Sequence, residues 1–489
     1  EDERSFEYDD PTAINNSIVE GGNLETDNAN VSFIDQTNYN INSGYELPLF
    51  GGTSKFKLGF ASFEESVYEQ EVEIDTSELP MVFEEEEETV DLDDKEWSLQ
   101  WQHSLFAGES KTIQFGAFVQ GKERDTAVYQ AEDESEQSFT SWDQFSQTPM
   151  ELAGFNNEFE AAAGGVNKLE EDRLDVFALV KHEDQDFSWE LGVRYETTDS
   201  TITDKAEGVS AKNDYDFFLP SAHLRYNVSE NGRVSASVAR SLRRPDFDYI
   251  TPALLEKELG DNDFLGNPDL QPESSWGMDL GYEYRLGKSG VVGINVFYRD
   301  VTDLIEIANT GQQGSEGDGT YILQPRNTGD GNVKGIELDL STPLSAISMP
   351  NTGVFFNYSW LDSEVDDTFG SRKFNDQSDY VFNVGFIQDL PDLGASFGAT
   401  YRKQGDAYGR IVGEEVTTHY GEDLEVFVEK RWQDVTLRLV GSNLLDASKD
   451  ETFNKFDTVD DQINRDFDEY ELESEEAGPV IQLMLRYAF

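Results

Sequence analysis

Apolar and polar residues alternate at every second position along nearly the whole chain. A segment with that period settles as a β-strand whose two faces differ, so the alternation constrains the fold more than any other feature. In 276–286, Trp276, Met278, Leu280, Tyr282, Tyr284 and Leu286 alternate with Gly277, Asp279, Gly281, Glu283 and Arg285. The pattern returns in 187–195, where Phe187, Trp189, Leu191, Val193 and Tyr195 alternate with Ser188, Glu190, Gly192 and Arg194. It returns again in 97–105 through Trp97, Leu99, Trp101, His103 and Leu105. Aromatic-out, charged-in alternation on so many strands has no use in a soluble sandwich.

The connections sort by length. Short turns rich in Gly, Asn and Asp join pairs of strands at Phe50-Gly51-Gly52-Thr53, Glu230-Asn231-Gly232, Gly287-Lys288-Ser289-Gly290 and Leu390-Pro391-Asp392-Leu393. Every second connection is long and polar, as in 76–94, 132–170, 245–272, 309–331 and 445–475. Short turns at one end and long loops at the other describe a transmembrane antiparallel β-barrel. About seventeen strands are expected, from 28–49 and 54–75 through 273–286 and 290–308 to 434–444 and 477–489. Several exceed the roughly 9–11 residues that cross a bilayer, and the excess is expected to project as hairpins above the outer surface. Bacterial single-chain barrels have even strand numbers, so Ser5-Phe6-Glu7-Tyr8 reads as the tail of one more strand. Tyr195, Tyr226, Tyr284, Tyr298, Tyr401 and Tyr487, near strand ends, suit the aromatic girdles of the two interfaces.

Composition removes other classes. The 489 residues include 36 Lys+Arg against 100 Asp+Glu, a formal net charge of −64, which argues against nucleic acid as a partner. There is no Cys, hence no disulfide scaffold and no thiolate metal site. Aromatic residues at 12% are too many for a solvating, disordered acidic chain. No apolar run is long enough for a membrane-spanning helix. The opening Glu1-Asp2-Glu3-Arg4 is no signal peptide, so the sequence is expected to start at a processing site or inside a longer chain.

No catalytic constellation, metal site or cofactor motif stands out. The four histidines, His103, His182, His223 and His419, are scattered, and His103, among apolar neighbours, fits an interfacial belt better than a metal site. Acid concentrates in the long connections: Glu84 through Glu88, then Asp457, Asp460, Asp461, Asp466, Asp468 and the glutamates up to Glu476. A solvated outer surface explains this more simply than a cation-attracting vestibule, there being no DxDxDG-type loop. Such a face is a poor first landing site for a highly anionic ligand.

Five motifs then occur in a fixed order: Arg240-Ser241-Leu242-Arg243-Arg244-Pro245-Asp246-Phe247; Gly266-Asn267-Pro268-Asp269-Leu270-Gln271-Pro272-Glu273; Gly293 through Val301; Arg326-Asn327-Thr328-Gly329 leading to Gly335-Ile336-Glu337; and Gly441-Ser442-Asn443-Leu444-Leu445-Asp446. With these the stretch from Arg240 onward resembles the C-terminal half of a TonB-dependent outer-membrane receptor. The terminal Tyr487-Ala488-Phe489 is similar to the barrel-assembly signal of outer-membrane proteins, and upstream the resemblance rests on barrel texture. The motifs also read physically. Asn267-Pro268 and Gln271-Pro272 fix the backbone where a long loop re-enters a strand, and Gly335 marks a bulge or a close approach.

The resemblance implies a barrel of the 22-stranded receptor type with a plug domain in its lumen. Residues 1–489 are then expected to be the C-terminal portion of one barrel domain, without the plug and the first strands. A longer receptor, half of a split receptor and a smaller self-contained barrel are the alternatives, the first preferred because open sheet edges in lipid are costly. The implied function is active uptake of a scarce ligand (ferric siderophore, cobalamin or oligosaccharide) across the Gram-negative outer membrane. A TonB-type partner would drive it, and a surface lipoprotein is conceivable as a cap. The alternatives are a passive porin-type channel and an acidic surface protein that binds cations or adheres. Glu190, Arg194, Asp279, Glu283 and Arg285 are expected to face the lumen. Trp142, Phe145 and Phe155 are candidate ligand contacts that read equally as loop packing. Arg243 and Arg244 are candidates too, although arginines in so acidic a protein more often pair with carboxylates.

Overall fold

The structure, a computed structural model, describes residues 2–9, 12–14, 18–20, 23–75, 83–135, 137–141, 144, 147–148, 158–259, 262–315, 317–367, 370–456, 458–476 and 478–487. Seventeen strands make up a continuous antiparallel wall. In chain order they are β1 (Asn23–Leu49), β2 (Gly52–Asp75), β3 (Phe83–Phe106), β4 (Lys111–Glu134), β5 (Asn167–Glu183) and β6 (Phe187–Asp204). Next come β7 (Val209–Asn227), β8 (Gly232–Arg243), β9 (Glu273–Leu286), β10 (Gly290–Gly314), β11 (Gly317–Leu344) and β12 (Met349–Asp367). The last are β13 (Tyr380–Leu390), β14 (Ala395–Gln404), β15 (Asp423–Trp432), β16 (Val435–Ser442) and β17 (Val480–Tyr487). Each pairs with its sequence neighbours, the meander that short turns and period-two patterning dictate.

Register sorts the two faces. Glu190 lies opposite His223, His223 opposite Ser237, Ser237 opposite Asp279 and Asp279 opposite Phe297. Residues one step along present Leu191, Leu224, Leu280, Val296 and Ile336 on the other face, each more than a third exposed. On that apolar face Phe187, Tyr226, Tyr284, Trp432 and Tyr487 stand near the short turns, and Trp97, Tyr195, Trp276, Tyr298 and Trp360 stand further up. Trp276 to Tyr284 spans about 27 Å along the strand, which a tilt of about 40° reduces to about 21 Å, within the roughly 25 Å height of an outer-membrane apolar band. His103 joins this region. It is buried, its Nδ1 lies 2.8 Å from Ser54 Oγ, and Phe50, Trp101 and Phe115 surround its ring.

One expectation needs correction, and one open choice is decided. The connections 76–94 and 309–331 are largely strand rather than loop: β3 begins at Phe83, and β10 and β11 extend to Gly314 and from Gly317. Glu84–Glu88 therefore sits in a ladder, with Glu86 opposite Glu71 and Glu132, and Glu84 opposite Glu73 and Glu134. Backbone pairing continues past the membrane because nothing in these segments breaks it, whatever the side-chain charge. Gly335 marks a close approach and no bulge. A Cβ there would lie 2.5 Å from Phe297 Cζ and 2.5 Å from the Trp360 carbonyl oxygen, within an unbroken register.

The wall is not closed. A strand at Asp2–Asp9, which includes the expected 5–8 tail, pairs with the outer end of β1 on one side and with the strand Glu469–Glu476 on the other. Below it, among the described pairings, β1 from 32 to 49 pairs on one side with β2, and β17 on one side with β16. Both strands are exposed, with Ile41 at 67% and Leu485 at 71%.

Candidate functional site: the outer mouth on the polar face

The connection from β8 to β9 builds most of the site. Pro245 cannot donate to a ladder, so the β8 edge ends at Arg243, and the chain turns into the short helix α1 (Phe247–Ile250). It then makes a hairpin from Leu254–Leu259 and Asn262–Leu265 before returning through Asn267-Pro268. Asn267 Oδ1 accepts the Asp269 amide at 3.1 Å, and Asn267 Nδ2 donates to the Pro325 carbonyl at 3.0 Å. Asn327 answers from the next motif: its Oδ1 accepts the Gln271 amide at 3.0 Å and its Nδ2 donates to the Gln271 carbonyl at 2.9 Å. Two motifs far apart in sequence thus interlock.

This connection is fastened over a wide arc of wall. Phe247 lies between Lys122 and Arg124 of β4, with the cations 5.2 and 5.1 Å from its ring centre. Arg124 also donates to Asp248 at 2.7 Å. Ile250 and Leu270 pack in a buried cluster with Leu169 of β5, Ile202 of β6 and Ile305 of β10. Asn213 of β7 donates to the Leu270 carbonyl at 2.6 Å. At the far end Asn262 donates to Glu414 at 3.2 Å and accepts the Tyr321 amide at 2.8 Å. The turn after Ile411 is gripped from two sides: Asn309 donates to the Val412 carbonyl at 2.9 Å, and Gln462 of α2 (Val459–Asn464) accepts the Gly413 amide at 3.1 Å.

Beneath this cover lies an ionic network. Arg173 and Asp175 of β5 share a face, as residues two apart on a strand must, and meet Glu196 of β6 across the ladder. Arg173 donates to Asp175 at 2.7 Å and to Glu196 at 2.8 Å, Arg194 donates to Asp175 at 2.6 Å, and Arg244 bonds Glu196. Asp175 is fully buried and Glu196 nearly so. Burial, and then the charge of Arg173, lowers the pKa of the Arg244 guanidinium from its ordinary value. A second centre joins Arg372 to Glu306 at 2.8 Å, with Thr328 also donating to Glu306 at 2.9 Å. Nearby, burial followed by the charges of Glu451 and Glu306 pushes the Asp376 carboxyl above its usual range. Among the described residues no three His, Asp or Glu side chains come together as ligands for a metal ion.

The sequence candidates fall as follows. Arg244 is taken by Glu196, and Arg243 lies 3.3 Å from Glu273, so both meet carboxylates. Asp279 accepts from Arg299 at 2.8 Å and Ser237 at 3.1 Å, and Glu283 pairs with Arg233. Glu190 lines a cavity of about 430 Å³ with Lys181, His223, Arg225 and Asp279, and Arg285 is exposed at the short-turn end. Trp142, Phe145, Phe155 and Phe489 lie outside the described residues, whereas Tyr487 stands exposed on β17. Asp175, Glu196, Glu306 and Gln462 escaped the sequence reading, since their roles depend on which strands and loops become neighbours.

The sequence matches a family model, that of the TonB dependent receptor-like β-barrel, over residues 3–444. The chain belongs to this family. It is accordingly a β-barrel protein of the Gram-negative outer membrane. An iron-regulated outer membrane virulence protein of Vibrio cholerae serotype O1 is 26% identical over 186 residues, which are 37% of this chain and 28% of that relative's length. The siderophore receptor PiuA from Acinetobacter baumannii superposes with a TM-score of 0.53 at 12% identity, covering 97% of this chain and 81% of that one. The ferric citrate transporter FecA in its unliganded form gives 0.54 at 10% identity, covering 98% and 78%. At such identities the likeness establishes the fold alone, and these two structures are named as a siderophore receptor and a ferric citrate transporter.

Proposed function

We propose that this chain forms the membrane wall of an active importer that takes up a scarce ligand, an iron chelate before cobalamin or an oligosaccharide. A TonB-type partner drives it through a plug domain outside residues 1–489, supplied by a longer chain or by a second one. The polar face bearing Glu190, Arg194, Asp279, Glu283 and Arg285 lines the lumen, where it meets plug and water. Further strands cover the bare edges of β1 and β17. The observation that carries the reading is the fastened outer mouth. The 244–272 connection is bonded from β4 across to Glu414, an arrangement suited to a receptor that holds and releases its ligand rather than to an open porin. The iron named in the relatives' descriptions supports the choice of ligand.

Uptake of radiolabelled ferric chelates by cells with and without the gene, each with and without a protonophore, tests this. Uptake lost in the deletion strain and abolished by the protonophore is the expected result. Gene-dependent uptake that survives the protonophore would instead identify a passive channel.

A further inference from the structure

Resting on the importer reading, we infer that the iron chelate accepted by this wall is neutral or cationic, and that anionic chelates are rejected. Recognition of an anionic chelate relies on guanidinium groups, whose planar fork suits carboxylate and other oxyanion partners. Here, among the described residues, five guanidiniums of the outer polar face are already committed to carboxylates. Arg173 bridges Asp175 and Glu196, Arg194 is bound to Asp175, Arg244 to Glu196, Arg372 to Glu306 and Arg465 to Glu415. Their flat faces are covered as well: Arg173 lies 5.2 Å over Phe118, Arg194 5.4 Å over Phe177 and Arg465 4.8 Å over Phe467.

The acceptors in these pairs are the deeper partners. Asp175 is 0% and Glu196 2% exposed, so an anion that recruits Arg244 or Arg194 leaves a buried carboxylate short of a cation. Such exchanges are unfavourable, because the two buried carboxylates, left to share Arg173 with one cation fewer, cannot be rehydrated. The chain as a whole carries a net charge of −64, and near the Arg372–Glu306 pair Asp376 is pushed toward its protonated form by burial and then by Glu451 and Glu306. A cationic chelate meets no such obstacle and gains from the long-range field, within a screening length of about 8 Å at physiological ionic strength.

The test is binding to the full receptor, purified from outer membranes with all its segments, followed by tryptophan fluorescence at fixed ionic strength. The probes are cationic ferrioxamine B, neutral ferrichrome, and the anionic ferric citrate and ferric enterobactin. Binding of ferrioxamine B or ferrichrome at least about tenfold tighter than either anion is the expected result. Glu196→Gln, which releases Arg244, is expected to narrow that margin. Anions binding as tightly as, or tighter than, both other probes would overturn the charge inference while leaving the importer intact. Binding of none of the four would overturn the iron-importer reading, and the inference with it.

Discussion

At the scale of single residues, close packing and committed charge set what each position tolerates. Gly335 is the clearest case, because the Phe297 ring and the Trp360 carbonyl fill the space a side chain would need. Gly335→Val is expected to destabilise the barrel by about 1–3 kcal/mol through overpacking and backbone shift. The loss should appear as a lower midpoint when folded barrel is followed through urea by gel mobility, and an unchanged midpoint would contradict the packing described. The importance of this glycine was legible in the sequence, and its mechanism in part. A lone Gly within a strand signals either a bulge or a close approach, and strand register alone decides between them. Asp175 and Glu196 were illegible for the opposite reason. Acidic residues on the polar face of a strand look alike until neighbouring strands bring some of them under arginines and the returning loop.

At the scale of elements, period-two alternation and turn chemistry located all seventeen wall strands, since each strand's two faces and each short turn are written locally. The outer ends were less legible. The acid-rich stretch 76–94 reads as a loop by composition, yet antiparallel pairing carries β3 onward between β2 and β4 with like charges opposite one another, as at Glu69–Glu88, Glu71–Glu86–Glu132 and Glu73–Glu84–Glu134. Burial, then the charge of Glu69, pushes the Glu88 carboxyl above its usual range, as a crowded acidic ladder should. Like charges directly opposite destabilise a sheet, so these extensions are expected to depend on salt. Lowering the salt from about 1 M to about 0.01 M lengthens the screening distance from about 3 to about 30 Å. Backbone amides in 66–75, 84–92 and 126–134 should then exchange faster, while those of the apolar band in 54–60 and 97–105 hold. Equal protection of the extensions at both salts would show that the ladder carries no net repulsion.

At the scale of the whole molecule, the aromatic-belted wall, the fastened outer mouth and the bare edges of β1 and β17 belong to one account. Their exposed backbone groups cannot stay unpaired in hydrocarbon. The five family motifs were legible because turns and close approaches demand particular residues. The interlock of Asn267 with the 325–327 segment was not, because nothing local announces it. On the proposed reading this wall is completed by further polypeptide, which also brings the plug. Intact mass spectrometry of the protein purified from native outer membranes, combined with N-terminal sequencing, tests that claim most directly. The expected result is a polypeptide larger than these 489 residues, or a second chain co-purifying in equal amount. A species made of this chain alone, with no companion and still inserted in the membrane, would contradict the account.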